Sequence, residues 1–164
     1  MSKFAEFLVL GGTSMSEENY MDKFSRPEEF IRQQILAKGN FSSLDKKEMY
    51  RLIRDNNIEF QIHKSGLAYT KKQDMLDALL TKISYKELAR YVNVSKKSFC
   101  MKFKITDDEF KILVEKGIVH PTNAYMSLKH CESGDVKWSQ WSGYNVYDYF
   151  NLTTEDIKNV LQNY

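Results

Sequence analysis

The chain holds little of what stiffens or staples an irregular fold: two prolines, two cysteines and seven glycines in 164 residues. Cys100 and Cys131 are too few for the disulfide framework of a small secreted domain, so reduced thiols and a cytoplasmic protein are expected. So little proline and glycine argues against a long linker. Charge of one sign is lacking too. Twenty-four Lys and Arg stand against 22 Asp and Glu, a net +2 that by itself does not announce a nucleic-acid binder. No apolar run nears the roughly 20 residues needed to span a bilayer. The short stretch Phe7 to Leu10 lacks the length and basic leader of a secretion signal. A membrane partner is therefore not expected.

Apolar residues make up 42% of the chain, with ten Phe and ten Tyr, enough to build a core without metal or disulfide. The expected fold class is mainly α: a compact helical protein with a helix-turn-helix-like core and a small β-hairpin near the C-terminus. Residues 1–24 read as an irregular arm, broken at Gly11-Gly12. A helical region follows over 25–82. Ser25 caps a first helix carrying Pro27, Phe30, Ile31 and Ile35, which Gly39 ends. A second helix starts at Ser43 or Asp45 and runs to about Asn56; Thr70 caps a third, bearing Met75, Leu76, Leu79 and Leu80.

Residues 83–119 carry three more capped starts. Ser84 with Glu87 opens a helix from Tyr85 to Val92, Ser95 opens one to about Phe103, and Thr106 with Glu109 opens one ended by Gly117. In residues 120–164, His120 to Asn123 and Ser133 to Asp135 read as turns. Tyr125–Leu128 and Val136–Trp138 pair as a hairpin between them, and a closing helix starts at Thr153 or Thr154.

Positive charge is uneven. Residues 81–120 hold nine basic and five acidic side chains, whereas 121–164 hold three and five. From Ser95 to Lys104 there are four lysines and no acid. Residues 83–104, ISYKELARYVNVSKKSFCMKFK, resemble the helix-turn-helix family. The resemblance implies two crossed helices, the second offered to DNA. Ala89 would be the small residue at the crossing, Asn93 the left-handed turn residue in place of glycine, Val94 the buried turn residue, Ser95 the cap and Phe99 the inward anchor. Lys102 departs from the pattern, which wants an apolar residue there, so Met101 or Phe103 takes that role. Upstream, residues 43–58 and 70–80 resemble SAP/HeH-like helix–loop–helix modules, small DNA-associated folds. Leu44, Leu52, Ile53, Ile58, Met75 and Leu79 would take the apolar positions, and Lys71 and Lys72 the exposed basic ones.

The nucleic-acid candidates are therefore Lys86, Arg90, Ser95, Lys96, Lys97, Ser98, Lys102 and Lys104, with Lys71 and Lys72. Lysine on a regular scaffold suits phosphate, and so few Arg, Asn and Gln leave base reading poorly supplied. Double-stranded DNA is the expected partner of a regulatory protein, and a two-fold homodimer is compatible with it. The alternative is a protein-interaction module or inhibitor anchored by Trp138, Trp141, Tyr144 and Tyr147, since Tyr and Trp give broad rigid contacts; the same residues would otherwise close the core. No enzyme or cofactor is expected. His120, His130 and Cys131 lack the spacing of a zinc tetrad, Asp107 to Glu109 suit a helix start, and no phosphate-cradling glycine motif is present.

Overall fold

The computed structural model describes residues 18–38, 41–130 and 136–163, with side chains throughout except at 123–130 and 136–142. The described residues are mainly α-helical, with one two-stranded antiparallel sheet. Gly39, the N-terminal apolar stretch and the Ser133 to Asp135 turn lie outside them.

Helices α1 (Pro27–Leu36), α2 (Lys46–Asp55) and α3 (Lys72–Leu79) build the first half. Proline at the first position of α1 has no amide to leave unpaired, and Phe30, Ile31, Gln34 and Ile35 form its buried face. The Asp45 carboxylate caps α2 by accepting from the Glu48 amide at 2.8 Å. Asn57, at φ 54°, ends that helix, and the Ile58 amide reaches back to the Ile53 carbonyl at 3.0 Å. Helices α2 and α3 pack on each other through Met49, Ile53, Met75, Leu76 and Leu79, all 1% exposed or less.

Thr70 does not cap α3, contrary to expectation. Its hydroxyl is buried in the preceding connection, accepting from the His63 amide and donating to the Gly66 carbonyl, and Lys71 takes the cap position. Nor is the chain irregular up to residue 24. Asn19 is buried, its Nδ2 donating to the Ser98 carbonyl and the Tyr149 hydroxyl, and a 3-10 turn over Tyr20–Lys23 buries Met21.

The second half runs α4 (Tyr85–Leu88), a 3-10 turn over Ala89–Tyr91, α5 (Lys96–Phe103), α6 (Asp107–Glu115), β1 (Pro121–His130), β2 (Val136–Tyr144), α7 (Val146–Asn151) and α8 (Thr154–Gln162). The capping boxes at Ser84/Glu87 and Thr106/Glu109 form as expected, and Thr153 caps α8. The hairpin is longer than expected. Pro121 opens a strand rather than a turn, and the ladder extends from His130↔Val136 to Pro121↔Tyr144 with an irregularity before Ala124. Helix α7, unforeseen, is started by Asn145, whose side chain accepts from the Tyr147 and Asp148 amides.

Phe99 organises this half. Its ring meets Phe103, Phe110, Tyr144 and Tyr149 at centroid distances of 5.2–6.3 Å, joining α5, α6, β2 and α7. Such pairs add to the burial of apolar area. The hairpin is also tied through its backbone: Val94 and Tyr144 exchange two hydrogen bonds, each 2.9 Å. The approach is tight enough that a Cβ on Gly143 would lie 2.0 Å from the Asn93 Cβ. Gly143→Ala is therefore expected to destabilise the fold by about 1–3 kcal/mol, the usual cost of overpacking. Removing the obstructing side chain with Asn93→Gly in the same chain should restore most of it. Chemical denaturation checks both; an unchanged Gly143→Ala chain would mean the strands sit farther apart.

Candidate nucleic-acid interface

Of the two helices expected over residues 83–104, the second forms as read and the first only in part. Leu88, Ala89, Val92, Val94 and Phe99 are all buried at 1% exposure or less, so the inward positions were read correctly. The first element is a single α-turn followed by a 3-10 turn rather than a helix to Val92. Asn93 does not take the left-handed turn conformation. Val92 and Ser95 on either side are extended, because this segment is drawn against Tyr144.

The left-handed residue lies after α5. Lys104, at φ 55°, ends that helix with its own amide and that of Ile105 directed at the Cys100 carbonyl, and Thr106 caps α6 two residues later. Counting from Lys104 as the turn residue, Cys100 takes the small position, half-buried against the start of α6 with Sγ 3.8 Å from the Asp107 carboxylate. Phe110 and Leu113, at 2% and 0% exposure, become the inward anchors of the second helix, and α5 packs on α6. The sequence spells the pattern twice, eleven residues apart: Leu88-Ala89 to Val94-Ser95, and Phe99-Cys100 to Ile105-Thr106. The left-handed residue falls in the second. An apolar–small pair followed four residues on by a turn residue, then an apolar residue and a cap, was the signal that could have found it.

Next come the basic candidates. Ser95 caps α5, accepting from the Ser98 amide at 3.1 Å. Ser98 itself is buried at 8% exposure, its carbonyl holding Asn19, so it is not an outward contact. Lys96 is exposed and pairs with Asp107 at 3.4 Å. Lys97, Lys104 and Lys86 are exposed. Lys102 is exposed, as expected, but its ammonium donates to the Tyr149 carbonyl and sits 4.5 Å from the centre of that ring. Burial lowers its pKa. Arg90 lies over the Tyr91 ring at 5.0 Å, and its charge helps lower the Glu48 pKa, an effect led by the hydrogen bond from Arg51. Lys71 is exposed at the start of α3, while Lys72 is half-buried, its pKa lowered chiefly by that burial with Asp45 opposing.

Of the aromatic candidates, the side chains of Trp138 and Trp141 lie outside the described residues. Tyr144 is half-buried and meets Phe110 edge-on at 4.8 Å. The Tyr147 hydroxyl donates to Glu28 at 3.1 Å, tying α7 to α1. Burial, reinforced by that carboxylate, pushes its pKa up to about 12. Both tyrosines are spent on internal contacts. The first turn of α6, by contrast, leaves Asp107 and Asp108 exposed.

No protein family's sequence profile matches the chain, and neither a curated protein nor a solved structure matches it. Among the described residues no helix is long and apolar enough to cross a membrane, and no three His, Cys, Asp or Glu side chains are grouped to hold a metal ion.

The left-handed backbone at Lys104 costs a non-glycine residue about 1 kcal/mol or more. Lys104→Gly is accordingly expected to raise stability by roughly 0.5–1 kcal/mol, whereas Asn93→Gly in the native background should lower it. Thermal or denaturant unfolding of the two variants decides which position holds the turn; the reverse order would place it at Asn93.

Proposed function

We propose that the chain is a non-enzymatic, DNA-binding regulatory protein that docks on duplex through the α5–α6 pair flanked by the β1–β2 hairpin. One observation carries this reading: the order short helix, bridge residue Val94, α5, left-handed turn, α6, hairpin, with Val94 closing on the hairpin's last residue, Tyr144. The order sets a helix pair like that of the helix-turn-helix family beside a two-stranded ribbon, and the major groove admits either element. Fold likeness alone does not establish function; here it is joined by charge. Residues 95–119 carry six lysines against four carboxylates.

The start of α5 is the expected phosphate contact, through Ser95, Lys96 and Lys97, with Lys104 at the turn. An exposed ion pair such as Lys96–Asp107 is worth only about 0–1 kcal/mol, so exchanging Asp107 for a phosphate costs little. The acidic first turn of α6 has the opposite effect. Asp107 and Asp108 repel the backbone, and a carboxylate accepts only from cytosine among the major-groove edges. Binding is thus expected to rest on phosphate, with modest sequence preference. A homodimer on a two-fold site and a cytoplasmic, reducing setting, in which Cys100 stays a free thiol, are consistent with it.

The exposed Asp107 and Asp108 favour one second reading, a protein partner that offers basic groups to the start of α6. Duplex binding against salt separates the two. Each phosphate neutralised adds about 0.9 to the slope of log K against log salt. Lys96→Ala/Lys97→Ala is therefore expected to reduce that slope by about 2 and to weaken random and specific duplexes alike. An unchanged slope, or no salt-dependent binding by the native chain, would overturn the DNA reading.

A further inference from the structure

We propose that the cavity between the 3-10 turn at Tyr20 and the start of α5 binds a nucleobase, free as a nucleoside or carried by an unpaired nucleotide of a strand. Its volume, about 320 Å³, falls within the roughly 300–1,000 Å³ of small-molecule sites. Met21, Phe30 and Val94 give it an apolar floor, each 2% exposed or less. Tyr20 and Phe41 stand at its rim, 41% and 57% exposed; only one other large hydrophobic side chain among the described residues is exposed, Tyr69. Two exposed rings at one opening suit a flat occupant that stacks on them.

The polar lining decides what kind of flat occupant fits. Gln34 is 7% exposed, and its Nε2 donates to the Tyr20 hydroxyl at 3.0 Å. The other end of that amide has no hydrogen-bond partner among the described residues. Asn93 also lines the cavity, but its Oδ1 is buried against Gly143 and does not face the occupant. A hydrocarbon or plain phenyl ring would leave the Gln34 carbonyl unpaired, whereas a base edge carries N–H donors that suit it. A nucleobase therefore satisfies both the rings and the amide. The preference for a base over other polar rings rests on the nucleic-acid reading above: the cavity opens beside Ser95, where the backbone of a bound strand is expected, so an unstacked base could enter it.

Spectra of the ¹⁵N-labelled full chain test this through the side-chain amide signal of Gln34. Adenosine is the probe, p-cresol the mimic of a tyrosine side chain, and a short single strand and its duplex are run alongside. Adenosine is expected to shift that amide, and Phe41→Ala to weaken that binding by about tenfold, the scale of one stacked base. Phe41 is mostly exposed, so the variant should keep the native melting temperature. Shifts with the single strand but not the duplex uphold the site and assign the base to a strand; shifts with the nucleoside alone uphold it as a small-molecule site. No shift with adenosine, or binding that Phe41→Ala leaves unchanged, overturns the proposal. Equal or tighter binding of p-cresol also overturns it, in favour of a peptide aromatic. Loss of salt-dependent duplex binding would leave the adenosine shifts standing, so failure of the two readings is distinguishable.

Discussion

The paired hydrogen bonds between Val94 and Tyr144 are the constraint on which the second half of the molecule depends. They hold the segment between the Ala89–Tyr91 turn and α5 in an extended form, which denies Asn93 the left-handed conformation and moves the tight turn to Lys104. They also bring Tyr144 over Phe99 and Phe110, so one contact sets the hairpin's base, the start of α5 and the aromatic core together. Gly143 is the residue that permits the approach, since any side chain there would occupy the space of Asn93. A backbone bridge of this kind has no signature in hydrophobic periodicity, because the residues are 50 positions apart and each reads locally as a turn or strand end.

That separation explains what could be read from the sequence and what could not. Local chemistry was legible: the boxes at Ser84 and Thr106, the cap at Ser95 and the apolar faces of α1, α3 and α5 all depend on residues within a turn or two of one another. The mainly helical class followed from them. Thr70 misled because its hydroxyl serves either a helix or a turn, and here the His63 to Gly66 connection competes successfully for it. Asn93 misled for a related reason. Asn tolerates the left-handed region better than Lys, so propensity favours the first of two overlapping patterns, while tertiary pairing selects the second.

The candidate site was legible as a region but not residue by residue. Charge density marked α5, yet density does not say where an ammonium points. Lys102 is exposed along with Lys96 and Lys104, but its ammonium is drawn to the Tyr149 carbonyl. Ser98 falls three residues after the cap, on the face that meets Asn19. Tyr144 and Tyr147 likewise turn out to join elements, which removes half of the aromatic surface expected for a protein partner. What gathers at the start of α5 instead is exposed lysine on one side and an aromatic-rimmed cavity on the other.

Native-state hydrogen exchange at the Val94 and Tyr144 amides tests this organisation most directly. Each is a donor in the bridge, so both are expected to exchange only through global unfolding, in step with the central amides of α5 and α6. Exchange of either at the rate of an open loop would contradict a closed bridge and, with it, the joined helix pair and hairpin.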